Sequence, residues 1–130
     1  MWLIYEILLV IGLLSYVPKA LWRKRLPHPG WAMRLGRYPA TVPQHLGGRR
    51  AMWVHAVSVG EVLAVQPLIQ RLLIDYPDTP LVLSTITPAG LEVASRLLGD
   101  RGVTIYSPLD FGLTVRRALK VIRPRVLLLV

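Results

Sequence analysis

The sequence predicts a doubly wound α/β fold, a parallel sheet with helices on both faces, entered through an apolar N-terminal helix. Three observations carry this. After Arg50, short runs rich in β-branched residues alternate with amphipathic stretches of helical length; each run ends in a loop of Gly, Pro, Ser, Thr or acid; and residues 2–17 are nearly all Leu, Ile, Val, Trp or Tyr. Strands that alternate with helices pair in parallel through right-handed crossovers. A chain of 130 residues can hold one such domain.

Taken in chain order, residues 1–17 form the first segment, an expected membrane anchor. It is broken only by Glu6, Gly12 and Ser15 and has no polar face at helical spacing, which suits lipid or a deep core. At about 1.5 Å per residue it reaches roughly 25 Å, slightly short of the bilayer hydrocarbon, so spanning and shallow insertion both stay open. A signal peptide is positive before its apolar core, whereas here Glu6 comes first and Lys19, Arg23, Lys24 and Arg25 follow, which favours a retained anchor with the rest of the chain on the cytoplasmic side. Residues 18–50 read as a basic juxtamembrane connector, irregular because of its repeated Pro and Gly, with one short helix at most. It contains no acid, so it is expected to be drawn to an anionic membrane surface.

Residues 51–130 form the expected sheet domain. Ala51 to Val57 reads as a buried strand, and the stripe Val62, Leu63, Val65, Leu68, Ile69, Leu72, Leu73 as a helix. Pro67 removes a backbone donor inside that stripe and should bend or divide it. Leu81 to Ser84 is a second strand, Ala89 to Leu98 a helix closed by Gly99, Val103 to Tyr106 a third strand, Phe111 to Ile122 a helix, and Val126 to Val130 a fourth strand.

The formal net charge of +9 calls for an anionic partner, leaving nucleic acid, anionic lipid and phosphorylated substrate open. Nucleic acid is disfavoured, because no reader motif and no aromatic platform stands among the basic residues. There is no cysteine, hence no disulfide framework and no thiolate site, and His28, His45 and His55 lack metal-ligand spacing. No G-x-G-x-x-G follows the first strand and no P-loop occurs, which disfavours nicotinamide and ATP.

A sheet of this kind carries its functional loops at the carboxyl ends of its strands. These loops are "SVGE", "TITPAG" and "YSPLDF", and they bring Ser58, Glu61, Thr85, Thr87, Ser107 and Asp110 to one edge. Glu61 ends the stretch "WVHAVSVGE" and is the first carboxylate after Glu6. Two readings of it compete. Ser58 and Glu61 match the S-x-x-E capping box; alternatively, a carboxylate at the mouth of the site, beside the bare Gly60, can act as a general base. His55, two residues before Val57, reads as a satisfied core or edge histidine.

"RLGRYP", "WVHAVSVGEVLAVQPLI", "LSTITPAG", "YSPLDF" and "IRPRVLLLV" resemble, in order and spacing, the N-terminal half of the 3-deoxy-D-manno-octulosonic acid (Kdo) transferases, "HAVSVGE" being the most specific piece. The resemblance implies a GT-B glycosyltransferase of two Rossmann-like domains, inverting and metal-independent. Its N-terminal domain would hold a lipid A precursor and its C-terminal domain the donor CMP-Kdo, at the cytoplasmic face of a bacterial inner membrane, with no cofactor. It implies that Glu61 is the base that deprotonates the acceptor hydroxyl, that Ser58 and Gly60 shape the acceptor pocket, and that Arg49 and Arg50 are candidates for binding acceptor phosphates bidentately. The family continues past the fourth strand into an acidic motif and a donor domain, so a chain ending at Val130 is expected to lack a CMP site and to be inactive alone. A membrane-tethered module that binds anionic lipid without catalysis is the other reading.

Overall fold

The computed structural model of the chain describes residues 2–22 and 30–130. Arg23, Lys24, Arg25 and His28, part of the expected basic connector, lie outside the described residues. Two compact units are present, Met1–Trp31 and Ala32–Val130.

In the first unit, helix α1 runs over Trp2–Trp22 and therefore continues through Pro18, past the end expected at Val17. A proline costs a helix one backbone bond without forbidding its continuation, and Ala20 and Leu21 beyond it are strong helix formers. Leu3, Ile4, Ile7, Leu8, Ile11 and Leu14 are each more than half exposed. Among the described residues no helix is long and apolar enough to cross a membrane.

The second unit is the doubly wound sheet. Strands β1 (Met52–His55), β2 (Leu81–Thr85), β3 (Gly102–Tyr106) and β4 (Val126–Leu129) pair in parallel in the order β3-β2-β1-β4. Alternate residues of a strand face opposite sides, and this divides the core in two. Met52, Val54, Leu81 and Leu83 pack with Val62, Ile69, Ala94 and Leu98 on one face, and Trp53, Val82 and Ile105 with Val42, Leu46, Ala118 and Ile122 on the other. Every residue of β2 is buried. Edge strand β4 is mostly exposed, Leu129 at 73%.

Helices α2 (Trp31–Arg34) and α3 (Thr41–Leu46) fall inside the segment expected to be an irregular connector. The spacing of Val42 and Leu46, one helical turn apart, gives α3 an apolar side, and both are buried in the core. The stripe after β1 is divided, as the proline suggested: α4 (Val59–Ala64) stops and α5 (Gln66–Asp75) starts with Pro67 in its first turn, where a missing N–H costs nothing. Helices α6 (Pro88–Leu98) and α7 (Gly112–Ile122) complete the layers, and a 3-10 turn at Gly99–Arg101 leads into β3.

Candidate functional site

Strand β1 lies between β2 and β4, so the chain reverses its direction of sheet growth at the β1/β4 boundary, and the crevice at their carboxyl ends is the topological switch point where such sheets bind ligands. The loop from Ala56 to Ser58, which leads into α4, opens there. It begins two residues earlier than the strand expected to Val57. Ala56 N–H still reaches Ser84 O at 2.9 Å, but the Val57 carbonyl takes both Ile86 N–H at 3.2 Å and the Thr85 hydroxyl at 3.0 Å, which turns the chain out of the ladder.

The Val57 N–H is taken by Glu61 Oε2, at 2.5 Å. This is not a capping box. A box requires the Glu to reach the N-cap amide of Ser58 and the Ser58 hydroxyl to accept from the helix, whereas Glu61 passes over Ser58 to the amide before it, and Ser58 makes no side-chain cap bond. Of the two competing readings, the capping box does not match that geometry. Glu61 is half-buried, held by one oxygen, and its Oε1 has no partner among the described residues. At Gly60 a Cβ would meet nothing closer than Ser58 Oγ, at 3.9 Å. The protein's own packing does not require glycine there; open space over the first turn of α4 is its visible consequence.

Ser58, Gly60 and Glu61 are thus brought together. Arg49 and Arg50 are not with them: both precede β1, at the amino edge of the sheet, while Glu61 follows its carboxyl end. Arg49 staples that far edge, donating to Asp78 O at 3.0 Å and to His45 O and Leu46 O at 3.3 Å each, and Arg50 donates to Pro124 O at 3.2 Å. A cavity of about 270 Å³ lies beside Arg49, lined in part by His45, Pro80, Asp100 and Arg101, again on the amino side. These two arginines, candidates for binding acceptor phosphates, stand apart from the carboxylate because β1 runs between them and separates the two edges.

Of the other polar residues of the carboxyl edge, Thr85 and Thr87 are engaged within the fold. Thr85 is buried against Val57 O, Thr87 caps α6 by accepting Gly90 N–H at 3.0 Å, and a Cβ on Gly90 would overlap the Thr85 and Thr87 hydroxyls. His55, on the central strand β1, sits as a satisfied histidine: Ser84 Oγ accepts Trp53 Nε1–H at 2.8 Å and stands 2.9 Å from His55 Nδ1. Ser107 N–H bonds Thr85 O at 2.9 Å, and Asp110 is exposed at the start of the turn into α7.

One residue of this edge was not singled out from the sequence. Arg34, at the end of α2, donates from Nη2 to Ile86 O, lies with its guanidinium 5.7 Å from the centre of the Tyr106 ring, and has its backbone carbonyl bonded by Leu109 N–H at 2.8 Å. Its Nε is buried without a hydrogen-bond partner, and burial lowers its pKa from the ordinary guanidinium value, with Tyr106 acting in the opposite sense. In the same segment Tyr38 keeps a buried, unpartnered hydroxyl, and burial pushes its pKa up to about 12. Only "RLGRYP" could have drawn attention to Arg34, and nothing in that string separates it from Arg37.

Residues 29–130 match the family described as 3-deoxy-D-manno-octulosonic-acid transferase (kdotransferase). Among curated proteins, the chain is 37% identical over 121 residues to the 3-deoxy-D-manno-octulosonic acid transferase of Haemophilus influenzae, covering 92% of this chain and 26% of that protein. It is 32% identical over 126 residues to the transferase of Chlamydophila psittaci, covering 95% and 29%, and 36% identical over 124 residues to that of Bordetella pertussis, covering 88% and 28%. The chain therefore spans between a quarter and a third of the length of these relatives. No solved structure matches significantly.

Proposed function

The chain belongs to the 3-deoxy-D-manno-octulosonic-acid (Kdo) transferase family, and on that premise we propose that it is the acceptor-holding N-terminal part of a GT-B enzyme that moves Kdo from CMP-Kdo to a lipid A precursor in lipopolysaccharide synthesis. The observation that carries this reading is Glu61, anchored by one oxygen to Val57 N–H with its other oxygen unpartnered, at the carboxyl edge of the central β1 and beside an open Gly60.

In the step proposed, an acceptor hydroxyl gives its proton to Glu61 as its oxygen bonds the anomeric carbon of Kdo. The bond from that carbon to the phosphate oxygen of CMP breaks, and CMP leaves with the electron pair from the opposite side, which inverts the centre. The backbone bond at Oε2 fixes the orientation of the carboxylate and leaves Oε1 to take the proton, the geometry a general base needs. Ser58, whose hydroxyl makes no cap bond, is free to contact the acceptor in this reading.

The direct test joins this chain to the remaining length of the Haemophilus influenzae relative and supplies CMP-Kdo and lipid A precursor. Transfer by the fusion with none by the 130-residue chain alone is the expected result. A fusion that folds yet transfers nothing, or turnover by the chain alone, contradicts the division of labour proposed.

The reading extends to place. Helix α1 exposes apolar side chains over much of its described length, including Leu3, Ile7, Leu8 and Leu14, and an apolar helix followed by basic residues suits the surface of an anionic membrane, here the cytoplasmic face of the inner membrane. The chain is expected to sediment with phosphatidylglycerol vesicles, and the same chain begun at Ala32 to stay in the supernatant. Equal sedimentation of the two would remove α1 from the membrane.

A further inference from the structure

We propose that Arg34 holds a substrate oxyanion, a phosphate or a carboxylate, at the carboxyl edge of the sheet; this rests on the transferase reading above and names the cation that serves the Glu61 site. Three hydrogen bonds in series tie the two residues to one edge: Glu61 Oε2 accepts Val57 N–H, Val57 O accepts Ile86 N–H, and Ile86 O accepts from Arg34 Nη2. The connection crosses from the loop after β1 to the loop after β2, and the Tyr106 ring at the end of β3 lies beneath the guanidinium. Arg34 thus touches the carboxyl ends of β2 and β3 while Glu61 follows β1.

The state of the guanidinium is what calls for a ligand. It offers five donors and no acceptor. One donor is used on a backbone carbonyl, Nε is buried without a partner, and no carboxylate pairs with Arg34 among the described residues. A cation that is partly withdrawn from water and left without an anion is unfavourable in the free protein, and perturbed, partly desolvated charges of this kind collect where ligands bind. Nη1, which makes no hydrogen bond among the described residues, and the second N–H of Nη2 form a fork suited to two oxygens of a phosphate or carboxylate. Arg49 and Arg50, by contrast, spend their donors on backbone carbonyls of the opposite edge. The ring beneath and the Ile86 carbonyl beside it fix the plane of the fork before any ligand arrives.

The oxyanion has two sources in the proposed reaction, the phosphates of the acceptor or the donor's own phosphate and carboxylate. Equilibrium binding to the fused protein in detergent micelles separates them, using a phosphorylated glucosamine disaccharide, its dephosphorylated form, CMP and free Kdo. Arg34→Gln is expected to weaken the phosphorylated disaccharide about tenfold or more, the worth of a charge-assisted pair, and to leave the dephosphorylated form unchanged. A loss confined to CMP or Kdo assigns the fork to the donor instead. Arg34→Lys, which keeps the charge and stem without the fork, should fall between, and it carries the comparison if Arg34→Gln does not fold. Unchanged affinity for every probe in a folded variant overturns the proposal. If Glu61→Gln in the fused enzyme abolishes transfer while the Arg34 variants bind like the parent, the transferase reading stands and this inference alone falls.

Discussion

Glu61→Gln, in the chain fused to the remaining length of a relative, is expected to lower turnover by about 10²–10⁴-fold, the usual contribution of a general base. The substitution is unusually clean here because of what Glu61 already does. Its Oε2 accepts the Val57 N–H, and the carbonyl oxygen of a glutamine can accept the same bond, so the fold of the loop is retained while the negative charge and the ability to take a proton are lost. Acceptor affinity should hardly change, since the loss falls on the transition state and not on ground-state binding. Turnover close to that of the parent would leave Glu61 as a loop clasp and nothing more. Glu61→Ala is less informative, because it also frees the Val57 amide and so changes the loop together with the charge.

The second large effect concerns the segment that carries Arg34. Gly36 has φ +76°, and a Cβ built there would stand 2.7 Å from Arg117 Cβ and 3.1 Å from Thr114 O. Left-handed backbone costs an L-residue roughly 1–2 kcal/mol, and forcing extra atoms into a close contact adds about 1–3 kcal/mol. Gly36→Val, which is both β-branched and bulky, is therefore expected to destabilise the chain by about 2–5 kcal/mol, read from the midpoint and slope of urea unfolding. The penalty falls on one turn, in which Gly36 N–H bonds Met33 O at 2.9 Å and Arg37 N–H bonds Ala32 O at 2.8 Å, with Arg117 Nη1 donating to Leu35 O at 3.3 Å from α7. A change under about 0.5 kcal/mol, the range of an ordinary surface substitution, would show that the turn yields without resistance.

The layers of the fold were legible because hydrophobic periodicity is local. Val54 and Leu83 announce buried strands through their β-branched and apolar neighbours, Ala94 and Leu98 lie one helical turn apart, and Pro67 announces the break between α4 and α5 by what it lacks. Boundaries were less legible where a tertiary bond decides them. β1 stops at His55, not Val57, because Val57 O is claimed by Ile86 and Thr85, nearly thirty residues away.

The site was half legible for a related reason. The spacing of Ser58 and Glu61 fits a capping box while leaving a base open, and which donor the carboxylate meets depends on where the strand ends. Arg49 and Arg50 stand close to Glu61 in sequence, yet each strand residue adds about 3.3 Å, so crossing β1 carries them to the other edge. Arg34 was silent for the opposite reason: what distinguishes it from the other arginines is contact with Ile86 and Tyr106, 52 and 72 positions along the chain, which no local pattern encodes.

The most direct measurement is a structure of this chain with the phosphorylated acceptor bound. The acceptor is expected at the carboxyl ends of β1 and β4, with its attacking hydroxyl within about 2.6–3.2 Å of the Glu61 carboxylate. An acceptor lodged instead at the amino edge, in the cavity beside Arg49, with Glu61 touching only Val57, would contradict the assignment of this carboxylate as the base.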